Sequence, residues 1–142
     1  SSREVGNRMS DVDWELLRRQ AIAAAEHSYS PYSNFPVGVA GFVDDGRVVW
    51  GANVENASYG LTLCAECSMV SSLYATGGGR LLAAFCVDGK GDPLMPCGRC
   101  RQLLYEHGGP DLLIMTPEGV QTMAQILPQA FGPWDLEERK TK

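Results

Sequence analysis

The sequence predicts an α/β protein in which a sheet of about five strands is covered by helices. Three observations support this prediction. The chain has 142 residues and is 44% hydrophobic, which suits one compact domain. Short apolar runs alternate with segments of helical spacing, and clusters of turn residues separate the two kinds of segment. The predicted order along the chain is α-β-β-α-β-α-β-α.

We expect a single domain over residues 9–135. Residues 1–8 carry no pattern and Met9 resembles a natural start, so these eight residues are interpreted as an added or disordered N-terminal segment. Residues 136–142 are interpreted as a charged tail. The fold is therefore expected between these two flanking segments.

The first half of the chain begins with a helix predicted over residues 10–28, where apolar residues recur at helical spacing. The loop at residues 29–36 contains two prolines and ends that helix. Residues 37–43 and 47–52 are predicted strands, and Asp44-Asp45-Gly46 between them is a turn sequence. This half is thus predicted to form a helix followed by a β-hairpin.

The second half repeats the alternation of helices and strands. Glycines and prolines mark where its elements begin and end. His27 and His107 fall at helix ends, so neither is assigned to a metal. The predicted elements are a helix from Cys64 to the glycines at 77–79, a strand over 81–87, a helix opened by Pro96 and closed at 108–109, a strand over 111–115, a turn at 116–119 and a short helix near 123–127.

Charge and hydropathy exclude some partners. The formal net charge is −5 and lysines form no run, so a nucleic acid partner is disfavoured. No apolar run reaches the roughly 20 residues that span a bilayer, and the N-terminus lacks the apolar core of a signal peptide. We therefore expect a cytoplasmic protein without a membrane partner.

Four of the five cysteines lie in two CxxC segments, at Cys64 and Cys67 and at Cys97 and Cys100. In a reducing compartment such pairs indicate metal binding rather than disulfides. One alternative is a closed structural zinc site with four cysteine ligands. The other is a catalytic site in which Cys64, Cys97 and Cys100 hold Zn²⁺, water takes the fourth position and Glu66 handles protons. The role of Cys67 decides between them.

Both CxxC segments fall at predicted helix starts, where free N–H groups stabilise thiolates. On an ideal helix Cys64 and Cys67 share one flank while Glu66 points elsewhere, which favours the structural site. A site above the mouth of the helix would instead let Glu66 reach the water. The fifth cysteine, Cys86, lies in an apolar run and is interpreted as a small buried hydrophobic residue.

Asn53 and Glu55 follow the second predicted strand and lie two residues apart. In an extended chain their side chains point the same way. An amide and a carboxylate on one face suit a pair of sugar hydroxyls, but a simple turn with an exposed acid fits equally well. Both interpretations stay open from the residues alone.

Four separated motifs resemble those of the cytidine deaminases, in particular the small homotetrameric class, and the resemblance extends from the first helix to Phe131. It implies a three-layer α/β/α cytidine deaminase-like fold with a mixed sheet. It also implies zinc-dependent hydrolytic deamination of cytidine and 2′-deoxycytidine to uridine, deoxyuridine and ammonia in pyrimidine salvage. The motifs are PYSNFPVG at 31–38, NVENASY at 53–59, CAE at 64–66 and PCGRCRQ at 96–102.

By this resemblance, one zinc ion per subunit is held by three of the cysteines, and Glu66 is the proton carrier. Asn53 and Glu55 are implied to hold ribose hydroxyls, and Phe35 to stack near the base. The zinc ligands so implied are Cys64, Cys97 and Cys100. The further substrate-binding residues are Ala65 and, contributed toward a neighbouring subunit of a homotetramer, Ala57, Tyr59 and Phe131.

The chain departs from the family at position 67, where many relatives have arginine and this sequence has Cys67. Three thiolates around Zn²⁺ leave a net charge of −1, which weakens its effect on water unless positive charge lies nearby. We hypothesise that Arg99 or Arg101 supplies this charge. Two alternatives remain: a deaminase of another cytosine-like or guanidine-bearing small molecule, and a non-enzymatic zinc module closed by Cys67.

Overall fold

The computed structural model describes residues 11–140, so the segment 1–8 and the last two residues of the expected tail lie outside the described residues. Helix α1, Trp14–Ala25, begins after Asp13, whose carboxylate accepts a hydrogen bond from the N–H of Leu16 at 3.0 Å. Its buried face packs on one side of a β-sheet.

The sheet has five strands in the order β2-β1-β3-β4-β5. The β3–β4 pair is parallel and the other pairs are antiparallel, so the predicted mixed sheet of about five strands is confirmed. The strands are β1 Gly38–Val43, β2 Val48–Ala52, β3 Leu81–Val87, β4 Leu113–Thr116 and β5 Gly119–Thr122.

The last of these strands, β5, is absent from the segments predicted individually. The turn predicted at residues 116–119 does occur, but the chain then returns alongside β4 as a hairpin. Gly119 adopts a φ of 106°, which a residue with a side chain rarely adopts, and this permits the tight return. All four residues of β5 are only half-buried, so its sequence lacks the apolar run used to recognise the other strands.

The opposite face of the sheet is covered by α2, Ala65–Ala75, and α3, Gly98–Gly108. Helix α2 begins directly above β2. A Cβ atom on Gly51 would lie 2.5 Å from both the Ala65 carbonyl oxygen and the Met69 backbone nitrogen, so only glycine allows this close approach. With α1 on the other face, the three-layer α/β/α prediction is confirmed.

The C-terminal part contains the predicted short helix, α4, at Met123–Ile126, and a further helix, α5, at Pro133–Lys140. Helix α5 crosses the domain boundary expected at residue 135, and its Trp134 ring packs 5.5 Å from that of Tyr105. The expected charged tail is therefore helical up to residue 140. Among residues 11–140, no helix has the length and apolarity needed to cross a membrane.

Candidate metal centre

The sulfur atoms of Cys64, Cys97 and Cys100 all lie within 4.8 Å of one another. Within the described part of the chain, this set of close metal-binding side chains does not include Cys67. Three thiols in one cluster suit zinc, which prefers sulfur and nitrogen ligands and in catalytic sites keeps one position open. The geometry therefore favours the open three-cysteine site over the closed four-cysteine site.

Cys64 and Cys97 are the residues that immediately precede α2 and α3. Both have extended backbone conformations, with φ and ψ of −68° and 156° for Cys64 and of −66° and 170° for Cys97. Their side chains therefore leave the helix flanks and lie over the helix mouths. The sequence argument that Cys64 and Cys67 share a flank fails for this reason, since Cys64 is not inside the helix.

The three thiols differ in how readily they ionise. The N–H of Cys100, joined by that of Arg99, lowers the pKa of the Cys97 thiol. Burial raises the pKa of Cys64 and of Cys100, and for Cys100 the nearby Glu66 carboxylate raises it further. The helix start thus favours the thiolate at Cys97. Cys64 and Cys100 stay protonated in the absence of a metal, and a bound cation would stabilise their thiolates by replacing the protons.

Glu66 is only 4% exposed and shares with the three thiols a cavity of about 230 Å³. Burial, and after it the nearby Glu66 carboxylate, raises the pKa of the Cys100 and Cys86 thiols. Cys86 was expected to be a small buried residue, which it is, yet it also lines this cavity. Cys86 and Ala84 lie two residues apart on β3, so their side chains point to the same face of the sheet, which is the face covered by the helices at the thiols.

Asn53 also lines the metal cavity, where its side chain is held by three hydrogen bonds. Its Oδ1 accepts from the Ser28 hydroxyl and from the N–H of Val37, the latter at 2.9 Å. Its Nδ2 donates to the carbonyl oxygen of Phe35 at 3.0 Å. Asn53 therefore fixes the preceding loop against the end of β2.

Glu55 lines an adjacent cavity of about 350 Å³, and Thr62 belongs to both cavities. The Oε1 atom of Glu55 accepts hydrogen bonds from the N–H groups of Tyr32 and Ser33 at 3.0 and 3.1 Å. Its Oε2 accepts the Ser33 hydroxyl. These bonds, led by the one from that hydroxyl, lower the pKa of Glu55, so its carboxylate is ionised at neutral pH.

The remaining predicted substrate residues lie mostly at the surface. Phe35, Tyr59 and Phe131 are 50, 75 and 53% exposed, and none of the three lines the metal cavity within the described residues. Ala57 is exposed, whereas Ala65 is buried and lines that cavity. A single chain thus gathers the thiols, Glu66, Ala65 and Asn53 but leaves the aromatic side chains outside.

The two arginines of the second cysteine motif differ in their surroundings. Arg101 is half-buried and donates to the carbonyl oxygens of Pro96 and Ile126, both at 2.9 Å. Arg99 is exposed, and its backbone N–H is directed at the Cys97 sulfur. The guanidinium of Arg101 therefore braces the segment that carries Cys97.

Comparisons with known proteins agree with a zinc site at these cysteines. The family model described as the cytidine and deoxycytidylate deaminase zinc-binding region matches residues 12–116. A curated cytidine deaminase of Mycobacterium tuberculosis is 61% identical over 132 residues, covering 93% of this chain and 99% of the relative.

Solved structures are similar as well. The crystal structure of a cytidine deaminase from Mycobacterium leprae has 76% identity and a TM-score of 0.82, covering 83% of this chain and 99% of that one. A cytidine deaminase from Burkholderia pseudomallei has 41% identity and a TM-score of 0.76, covering 84% of this chain and all of the other. The similarity thus extends through sequence and fold together.

Proposed function

Because the chain belongs to the cytidine and deoxycytidylate deaminase family, we propose that it hydrolyses cytidine, and 2′-deoxycytidine, to uridine or deoxyuridine and ammonia in pyrimidine salvage. One observation carries this proposal. The buried carboxylate of Glu66 and three clustered thiols share one cavity. A proton carrier beside a set of zinc ligands is the combination that hydrolytic deamination requires.

Cys64, Cys97 and Cys100 would hold one zinc ion per subunit. Bound zinc supplies a Lewis acid that makes water a better nucleophile at neutral pH. The donor set fits this ion, because three thiolates bind zinc and leave one position for water. The chain supports the set at the start of α3, where the N–H groups of Cys100 and Arg99 stabilise the Cys97 thiolate.

Glu66 would move the protons of the reaction. Its carboxylate accepts a proton from the attacking water and delivers it to N3 of the cytosine ring. The water oxygen bonds to C4 in this step, and the carboxylate then takes the remaining proton of that oxygen. As the C4–N4 bond breaks and the C4–O bond becomes a carbonyl, the carboxylate passes this second proton to the departing amino group, which leaves as ammonia. Burial keeps bulk water away from Glu66, so these transfers stay between the carboxylate and the substrate.

The ribose would be recognised by Asn53 and Glu55, and the number of free hydrogen-bonding positions limits how. Among the bonds within residues 11–140, Asn53 keeps one amide hydrogen, because the other binds Phe35. Glu55 accepts three bonds and retains about one of the four acceptor positions of a carboxylate. These two free positions can serve a single hydroxyl, which would accept from Asn53 and donate to Glu55.

A single recognised hydroxyl supports the use of both nucleosides. If it is the 3′-hydroxyl, which cytidine and 2′-deoxycytidine share, we expect kcat/KM for the two to agree within about tenfold. A much larger preference for cytidine would indicate that the 2′-hydroxyl is read instead. Steady-state kinetics with both substrates distinguishes these outcomes.

The aromatic residues support a shared site. Phe35 would stack near the base, whereas Ala57, Tyr59 and Phe131 would face the site of a neighbouring subunit in a homotetramer. Exposed aromatic side chains such as these are typical of surfaces that another protein covers. Mass measurement in solution tests the tetramer, and a monomer with full activity would contradict it.

Arg99 would supply the positive charge that compensates for Cys67. Arg101 is held by two carbonyl groups, whereas Arg99 is exposed near the same helix start and has no side-chain hydrogen bond within residues 11–140, so Arg99 is the better candidate. In an Arg99→Gln variant we expect a lower turnover and a pH profile displaced to higher pH. Unchanged turnover and pH profile would contradict this role.

The decisive experiment is the loss of cytidine absorbance with the purified protein and its Glu66→Gln variant, together with zinc content. We expect activity in the wild type, and a loss of at least 100-fold in the variant with zinc retained, since general acid–base catalysis contributes about that much. Cytosine derivatives and guanidine compounds, offered in parallel, test the alternative substrates. An inactive wild type with zinc bound would instead indicate a structural zinc module.

A further inference from the structure

We propose that Ser33 is a positioning residue for substrate binding, whose hydroxyl fixes the carboxylate of Glu55 and the backbone of Phe35 at the same time. This inference rests on the proposed function, in which Glu55 and Phe35 contact the nucleoside. Ser33 lies between them in the hydrogen-bond network and is not itself assigned to the substrate.

The Ser33 side chain donates one hydrogen bond and accepts another. Its hydroxyl donates to Oε2 of Glu55, and its oxygen accepts the N–H of Phe35 at 3.0 Å. The backbone N–H of Ser33 donates to the other oxygen of Glu55, Oε1, at 3.1 Å. One residue thus holds both oxygens of the carboxylate as well as the chain that carries the aromatic ring.

The network closes through Asn53. The carbonyl group of Phe35 accepts the Asn53 amide at 3.0 Å, so the backbone of Phe35 is held at its N–H by Ser33 and at its oxygen by Asn53. Asn53 and Glu55 belong to the segment after β2, while Ser33 and Phe35 belong to the loop before β1. Side chains with proposed substrate roles therefore hold one another in place.

Burial contributes little to the position of this loop. Residues 31–35 are all exposed, and Asn34 has a φ of 56°, which is uncommon outside glycine. Hydrogen bonds to Glu55 and Asn53 must therefore fix the loop, because few apolar contacts are available to do so. Loss of the Ser33 hydroxyl would remove one of these bonds and the acceptor for Phe35.

The chemical reason lies in the carboxylate. With N–H donors on Oε1 alone, the Glu55 carboxylate can rotate about its last side-chain bond, which has only broad preferences. A hydroxyl on Oε2 fixes the plane of the group and aims its remaining acceptor position at the substrate. Alanine cannot replace this hydroxyl, whereas threonine retains it.

The test compares Ser33→Ala and Ser33→Thr with a matched control, Ser30→Ala, in the same loop. Ser30 contributes its backbone carbonyl to the turn, which the substitution preserves. With cytidine we expect Ser33→Ala to lower kcat/KM about tenfold, mainly through KM, as for loss of a bond to a charged group. We expect Ser33→Thr to stay within about threefold of wild type and Ser30→Ala to match it.

A second substrate separates positioning from loop stability. In 2′,3′-dideoxycytidine the 2′- and 3′-hydroxyls are missing and only the 5′-hydroxyl remains, so a Glu55 carboxylate that binds the 2′- or 3′-hydroxyl loses its partner. We expect the penalty of Ser33→Ala to shrink to about threefold or less with this substrate, as in a double-mutant cycle. A general loosening of the loop would impair both substrates alike.

Three results would overturn the inference: equal penalties with both substrates, no penalty with cytidine, or a folded Ser33→Thr variant as impaired as Ser33→Ala. Thermal unfolding of each variant shows whether it is folded. The proposed function fails separately, because in that case the wild type itself would not deaminate cytidine.

Discussion

The side-chain amide of Gln102 donates a hydrogen bond of 2.8 Å to the carbonyl oxygen of Phe131. Gln102 lies two residues after Cys100 on α3, so this bond ties the helix that carries Cys100 and follows Cys97 to the C-terminal segment. Arg101 adds a second connection to the same segment through the carbonyl oxygen of Ile126. These two hydrogen bonds therefore fix the backbone near Phe131 relative to the metal centre.

Gln102→Ala should release the segment around Phe131. We expect a loss of about 1 kcal/mol in the free energy of unfolding, the usual value for one neutral hydrogen bond. Since Phe131 is proposed to serve a neighbouring subunit, the proposed tetramer should also dissociate at a higher protein concentration than in wild type. Glu106→Ala, on an exposed position of the same helix, is the control. Identical behaviour of both variants would show that the Gln102 bond is unimportant.

Cys67→Ser should retain one zinc ion per chain, because the Cys67 sulfur lies outside the cluster of three. Cys97→Ser should lose most of its zinc, since serine is a much poorer ligand than a thiolate. Metal analysis after dialysis measures both. Loss of zinc from Cys67→Ser would contradict this expectation and support the closed four-cysteine site.

Gly51→Ala should displace α2, because the added Cβ would lie 2.5 Å from backbone atoms of Ala65 and Met69. We expect a destabilisation of about 1–3 kcal/mol, the range for overpacking, and weaker zinc binding, since Cys64 directly precedes this helix. Gly60→Ala is the control, because a Cβ there has nothing within 4 Å. Chemical denaturation gives the stabilities, and equal values for the two variants would argue against tight packing at Gly51.

Protonation of His107 should destabilise the fold in mildly acidic solution. Burial lowers the pKa of His107, and its Nδ1 lies 2.6 Å from the Tyr74 hydroxyl oxygen. The unfolded chain therefore takes up this proton at a higher pH than the folded chain, so stability falls as pH drops below about 6.5. We expect a smaller decrease between pH 7 and 5 in His107→Gln than in wild type. Parallel decreases in denaturant titrations would contradict this assignment.

Much of the fold could be predicted because its elements carry strong local signals. The apolar run of β3 and the two prolines that follow α1 mark their positions without tertiary information. Strand β5 lacks such a signal, since it depends on pairing with β4 rather than on burial of its own side chains. Helix α5 was not predicted either, although Pro133 stands at its first position and Asp135 in its first turn, both of which favour a helix start.

The candidate site shows the same division. Cysteine spacing predicted the thiol cluster, but the exclusion of Cys67 depends on the extended backbone of Cys64, which spacing does not encode. Cys86 could have been suspected from its place on β3 only if the covered face had been known. Ser33 gave no signal beyond turn propensity, because its importance arises from contact with Glu55, 22 residues away.

The close approach of α2 and α3 over one face of the sheet has a consequence for how the protein responds to metal supply. A bound ion would join position 64 to positions 97 and 100, closing a loop of roughly thirty residues that contains all of β3. It would therefore act as a reversible cross-link that restricts the unfolded chain, much as a disulfide does in oxidising surroundings. Chelators should shorten the time for which the folded chain resists proteases, in proportion to the metal removed. The abundance of this protein in a cell would then follow the supply of zinc in that cell.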